Sequence, residues 1–145
     1  MSEATQNKDE VVLELLQKKG QEVIEEGSTE EYIEKYDAKK RLDDSEIVLM
    51  FDMLKAYMKG QYQQVPALTL AAIVGALVYL VSPVDIAPDA IPVAGLLDDA
   101  FVCSLVYGAI KSDINDYTDW VCSLNKQYAE EKSLDSALDK LSNLG

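Results

Sequence analysis

Apolar positions along this chain recur at helical spacing, first on amphipathic stretches and then on nearly continuous ones. Val12, Leu15, Leu16, Val23 and Ile24 repeat every three to four residues and stop at Gly27, the pattern of one apolar helix face closed by a glycine. Ser28 opens S-T-E-E, a capping-box spacing in which Glu31 can reach back to the Ser28 amide. Tyr32, Ile33 and Tyr36 give the next short helix an apolar edge. Asp43 or Asp44 is placed to cap a third helix, with Ile47, Phe51, Leu54 and Met58 on one stripe and Val48 beside it. Met50, Met53 and Met58 suit either an adaptable partner surface or ordinary core packing, which is the commoner use.

From Pro66 the pattern changes. The run ALTLAAIVGALVYLV has no polar face, and Pro66 suits the first turn of a helix through it. Ala67, Ala71 and Gly75 fall four residues apart, with Ala72 and Ala76 alongside. Such a strip lets a second helix approach closely. A second apolar helix is expected from about Leu96 to Lys111. An amphipathic one then carries Ile114, Tyr117, Val121, Leu124 and Tyr128, with Trp120 flanking the stripe as an anchor to the core. Ser133 is placed to cap a last helix with Leu134, Leu138 and Leu141 on one face. No alternating strand pattern competes. The expected architecture is an all-α, single-domain helical bundle of about six or seven helices around a central apolar helical hairpin. Its expected parts are N-terminal amphipathic helices at 1–46, a helical core at 47–120 and a C-terminal helical extension at 121–145.

That hairpin raises the question of membrane or core. Residues 65–81 are 17 consecutive residues without a charge, at the lower end of what spans a bilayer. Lys55, Lys59 and Lys111 bracket the two apolar segments while the connector holds only acids, which suits a hairpin with both ends cytoplasmic. The same pattern suits a hairpin buried in a soluble bundle, and the amphipathic sequence on both sides favours that reading.

Charge and residue usage narrow the chemistry. The formal charge is −13, with 15 acids against 9 bases in residues 1–59, 4 against 0 in 60–110 and 7 against 4 in 111–145. This opposes attraction to nucleic-acid phosphates, so no nucleic-acid partner is expected, and a basic protein or a cation fits better. The chain has no histidine, which removes histidine-based nucleophile activation, general-base catalysis and zinc ligation. Cys103 and Cys122 stand alone, without metal-site spacing. The first residues do not read as a secretion signal, so a cytoplasmic, reducing setting is expected, with membrane association left open.

The acids that draw attention lie in the connector YLVSPVDIAPDAIPVAGLLDD, residues 79–99. Ser82, Pro83 and Asp85 read as the cap, first residue and third-position acid of a helix start. Pro88 and Pro92 hold their preceding residues extended, Gly95 permits a close approach, and Asp98 and Asp99 fall in a first helical turn where the dipole favours them. Alternatively Asp85, Asp89, Asp98 and Asp99 converge. Clustered carboxylates suit a hard cation such as Mg²⁺ or Ca²⁺, or accept a lysine or arginine from a partner.

The run Ser82 to Asp99 resembles the signature of the YkvA-like family, the domain of unknown function numbered 1232, whose pattern is close to S-P-x-D-[LI]-x-P-D-x-[IL]-P-x-x-G-x-x-D-D. Ser82, Pro83, Asp85, Ile86, Pro88, Asp89, Ile91, Pro92, Gly95, Asp98 and Asp99 match it. With the flanking helices the resemblance covers residues 47–120. It implies a small bacterial helical protein, often associated with membranes, with no general activity established. Ala87 and Ala90 stand where larger apolar or aromatic residues are usual, which makes this connector less apolar.

Three functions follow as expectations. The first is a non-enzymatic module, membrane-associated or docking on a protein through its apolar hairpin. The second is an acidic inhibitor or immunity-type protein that binds a basic partner. The third is a divalent-cation-binding domain built on Asp85, Asp89, Asp98 and Asp99. No catalytic residue and no organic cofactor is expected.

Overall fold

The computed structural model describes residues 2–39, 45–82 and 99–143. These form five helices: α1 (Ser2–Glu26), α2 (Thr29–Lys39), α3 (Ser45–Met58), α4 (Ala67–Val81) and α5 (Asp99–Asn143). No strand occurs among the described residues. The all-helical class therefore stands, while a count of six or seven does not. The main reason is α5, a single helix of 45 residues where the sequence suggested three. Ser133 reads as a cap, but no proline lies between Asp99 and Asn143, and the one glycine there, Gly108, is exposed within unbroken helix. A serine marks a helix start only where the backbone leaves the helix before it.

Glycine ends α1 and α3 in the same way. Gly27 and Gly60 have φ of +74° and +77°, a left-handed geometry that costs other residues energy. At the first, the Gly27 amide donates to the Ile24 carbonyl and the Ser28 amide to that of Val23, both at 3.1 Å. At the second, the Gly60 amide donates to Tyr57 at 3.0 Å and the Gln61 amide to Ala56 at 2.9 Å. Both are Schellman closures. The first corrects the capping-box expectation. The Ser28 amide is already bonded within this turn, and Glu31 lies 3.2 Å from Lys35 instead.

Helix α4 is the centre. Pro66 sits just outside it as the cap residue, and its carbonyl accepts from the Leu70 amide at 3.0 Å. Every residue from Thr69 to Tyr79 is buried, as expected for a helix that is apolar all round. It packs most extensively against α1 and also meets α2, α3 and α5. The expected central hairpin is thus lopsided. Along α5, Val102, Cys103, Val106, Ile110, Ile114 and Tyr117 are buried while Ser104, Gly108, Ala109 and Lys111 are exposed, so this arm offers one face only.

The α1 stripe is shifted from the expected one. Val12, Leu16, Gly20 and Val23 form the buried face, and Ile24 is exposed. On α3, Met50 and Met53 are fully buried core residues, whereas Val48 and Met58 reach solvent. Trp120 packs on the core as the sequence suggested.

Candidate functional site

The small-residue strip of α4 has a specific partner. Helix α1 crosses it at Gly20, so closely that a Cβ on Gly20 would overlap the Ala71 carbonyl and stand 2.8 Å from the Gly75 nitrogen. A Cβ on Gly75 would in turn overlap the Leu16 carbonyl. Two helices meet backbone to backbone here, which only glycine permits. The strip was visible in the sequence, but Gly20 was not singled out. Its signal was a glycine in phase with Val12, Leu16 and Val23.

Across α4 from that crossing, the Thr69 hydroxyl donates to Asp113 Oδ2 at 2.5 Å. Thr69 and Thr29 are the only buried polar residues among those described. Below the α4 start, Tyr62, Tyr117 and Trp120 pack with ring centroids 5.1–5.8 Å apart. Rings this close contact one another and leave no room for a cation between them. Burial pushes the Tyr62 hydroxyl pKa above its usual 10.0, and the charges of Asp116 and Asp113 add to the rise. Burial raises Tyr117 likewise, with further contributions from Asp52 and Tyr62.

A surface cleft of about 350 Å³ lies between α2 and α3, lined by Glu30, Ile33, Glu34, Asp37, Lys55, Met58 and Lys59. Lys55 Nζ bonds Asp37 Oδ1 at 2.9 Å across it, a half-exposed pair worth less than about 1 kcal/mol. The sequence pointed to Ile33, Met58, Lys55 and Lys59 for other reasons and did not bring the two walls together, although Glu30, Glu34 and Asp37 on α2 and Lys55 and Lys59 on α3 have the spacing of facing stripes. The mixed charge suits adhesion between the helices, and no nucleophile lines the cleft.

Of the four aspartates of the connector, Asp85, Asp89 and Asp98 lie outside the described residues. Asp99 is half-buried in the first turn of α5, where the helix dipole stabilises it by about 0.3–1 kcal/mol. Among the described residues no group of three acidic, cysteine or histidine side chains is placed to hold a metal. Cys103 is buried and Cys122 exposed, both as thiols. No described helix is long and apolar enough to cross a membrane. Helix α4 has 15 residues, a length of about 22 Å against a hydrocarbon core of about 30 Å.

Comparison with known proteins agrees with the connector signature. A family model described as a protein of unknown function (DUF1232) matches residues 69–105, which begin at the Thr69 contact and end two turns into α5. The chain is similar to a Bacillus subtilis (strain 168) protein named "Uncharacterized membrane protein YkvA". The two are 36% identical over 74 residues, 51% of this chain and 70% of the relative. No solved structure matches the chain. The likeness takes in most of the relative, the family match covers α4 from Thr69, the connector and the start of α5, and on that ground the chain belongs to the YkvA-like DUF1232 family.

Proposed function

We propose that this chain is a non-enzymatic helical module that docks peripherally at the membrane, on the basic cytoplasmic loops of an integral membrane protein. The observation that carries this reading is the enclosure of α4. From Thr69 to Tyr79 its surface is buried against α1, α2, α3 and α5, which leaves only its first residues, Leu68 among them, exposed, so attachment runs mainly through other surfaces. The relative's printed name supplies the membrane. The charge of −13 opposes direct adsorption to anionic lipid, but it complements the Lys/Arg-rich cytoplasmic loops of membrane proteins. Asp85, Asp89, Asp98 and Asp99 are the candidate acceptors for those basic side chains. The absence of histidine from the whole chain supports a role in association rather than in acid–base chemistry.

Fractionation tests it. The native protein should sediment with membranes at low ionic strength and leave them in about 1 M salt, where the screening length falls to about 3 Å. It should not float with protein-free vesicles of phosphatidylcholine and phosphatidylglycerol. Asp85→Asn with Asp89→Asn should reduce the membrane-bound fraction. Extraction that requires detergent would establish an inserted hairpin instead, and a wholly soluble protein at low salt would end the proposal.

A further inference from the structure

Helix α5 continues well past its last described core contact. Among its described side chains Val121 is the last packed on the core, residues 122–127 are all exposed, and the helix continues to Asn143. Leu124 and Leu141 on this C-terminal part are exposed at 43% and 64%. The large apolar positions of the helix from Val121 to its end at Asn143 are Val121, Leu124, Tyr128, Leu134, Leu138 and Leu141. Counted from Glu131 they stand at −10, −7, −3, +3, +7 and +10, a pattern that reads the same in both directions. On a helix these positions and Glu131 share one face, an arc of about 160°.

We infer that the C-terminal half of α5 pairs antiparallel with the same segment of a second copy, about a two-fold axis at Glu131. A two-fold interface requires that each residue's partner also accept it in return. Antiparallel pairing about Glu131 does so, with layers of Val121 and Leu141, Leu124 and Leu138, and Tyr128 and Leu134. Charge selects the direction. Each chain carries −13, yet residues 121–145 hold 4 acids against 3 bases. Parallel pairing would set the two acidic bundles side by side. Antiparallel pairing separates them by the overlap of 21 residues, about 30 Å, several screening lengths at physiological salt. The one discordant position is Glu131, which meets its own copy at the axis.

The test uses the full chain. Sedimentation equilibrium should give a dimer at micromolar concentration. Leu138→Glu should shift it to monomer with unchanged far-UV circular dichroism. Glu131→Leu should tighten the dimer by about tenfold to a hundredfold, because it removes a like-charge contact and completes the seam. That gain keeps the test decisive if Leu138→Glu disturbs the helix. In a Cys122→Ser background, Leu124→Cys and Leu138→Cys chains should form disulfide-linked dimers when mixed but not separately. A monomeric wild type, binding of monomer to phosphatidylcholine vesicles through α5, cross-linking of Leu124→Cys with itself, or no tightening by Glu131→Leu would each overturn the inference.

Discussion

Gly20→Ala is the sharpest perturbation of this fold, because two effects of opposite sign meet in one methyl group. In the interior of α1 the change gains about 0.8–1.0 kcal/mol of helix propensity. Against that stands the crossing with α4. The added Cβ would lie 2.7 Å from the Ala71 carbonyl carbon and 2.8 Å from the Gly75 nitrogen, where carbon contacts settle near 3.5 Å or more. Its neighbours are backbone, so no rotamer change relieves the contact, and the helix axes have to part by about 1 Å or more. Parting them loosens Val12, Leu16 and Val23 against α4 as well. Overpacking of a core costs about 1–3 kcal/mol, occasionally more, and a backbone collision belongs at the upper end. The expected net loss is about 2 kcal/mol, a fall in Tm of about 4–8 °C for a chain of this size. Gly108→Ala supplies the control. It is also a mid-helix glycine, but a Cβ there meets nothing within 4 Å, so the same substitution should stabilise by about 0.5–1 kcal/mol. Urea denaturation followed by far-UV circular dichroism reads both. A Gly20→Ala protein as stable as the wild type would refute the close crossing.

Other contacts give smaller, separable effects. Thr69→Val deletes the donor to Asp113 Oδ2 and should cost about 1.5–3 kcal/mol as a hydrogen bond to a charged acceptor, measured by the same denaturation. Tyr62 and Tyr117 hold their protons more tightly folded than unfolded, so their stabilisation is complete below pH 10 and drains away as pH rises through their higher folded values. Stability should therefore fall with pH above 10, and Tyr62→Phe should flatten that fall; an unchanged slope would count against these two hydroxyls. If Asp85, Asp89, Asp98 and Asp99 hold a divalent cation, Mg²⁺, Ca²⁺ or Mn²⁺ raises Tm and Asp85→Asn abolishes the rise. If they are helix starts and partner contacts, none of the three metals shifts it.

The sequence made the helical class, the Gly27 stop, the half-buried Trp120 anchor and the tight strip on α4 legible, because each is a local pattern with a local cause. What it hid was tertiary. Ile24 is in phase with the α1 stripe but falls on the solvent side, since the crossing at Gly20 turns Val12, Leu16 and Val23 toward α4. Ser133 carries the chemistry of a cap without the geometry, and no break follows Lys111, so three expected helices are one. Glu31 had the right spacing for a capping box, but the Schellman turn at Gly27 had already claimed the Ser28 amide. Of the candidate acids only Asp99 lies in the described residues, in the helix-start position its spacing predicts.

The crossing at Gly20 also bears on how an apolar helix finds its environment. Helix α4 contains the beginning of the family match at Thr69; its composition suits a bilayer as well as a protein core, although its 15 residues are too few to cross one. Its own composition does not decide between them. What decides is whether the rest of the chain offers a surface that fits its small-residue strip better than lipid does. Association of helices in lipid rests on close packing at small residues, and the same packing in water adds the removal of apolar surface from solvent. Helix α1, outside the matched segment, supplies that surface through one glycine in phase with three apolar residues, and most of its described exposed positions, Glu10, Glu14, Lys18, Glu22, Glu25 and Glu26 among them, are charged. Within a family whose shared segment is apolar, an amphipathic helix with a correctly placed glycine is thus enough to turn a short candidate span into the centre of a bundle.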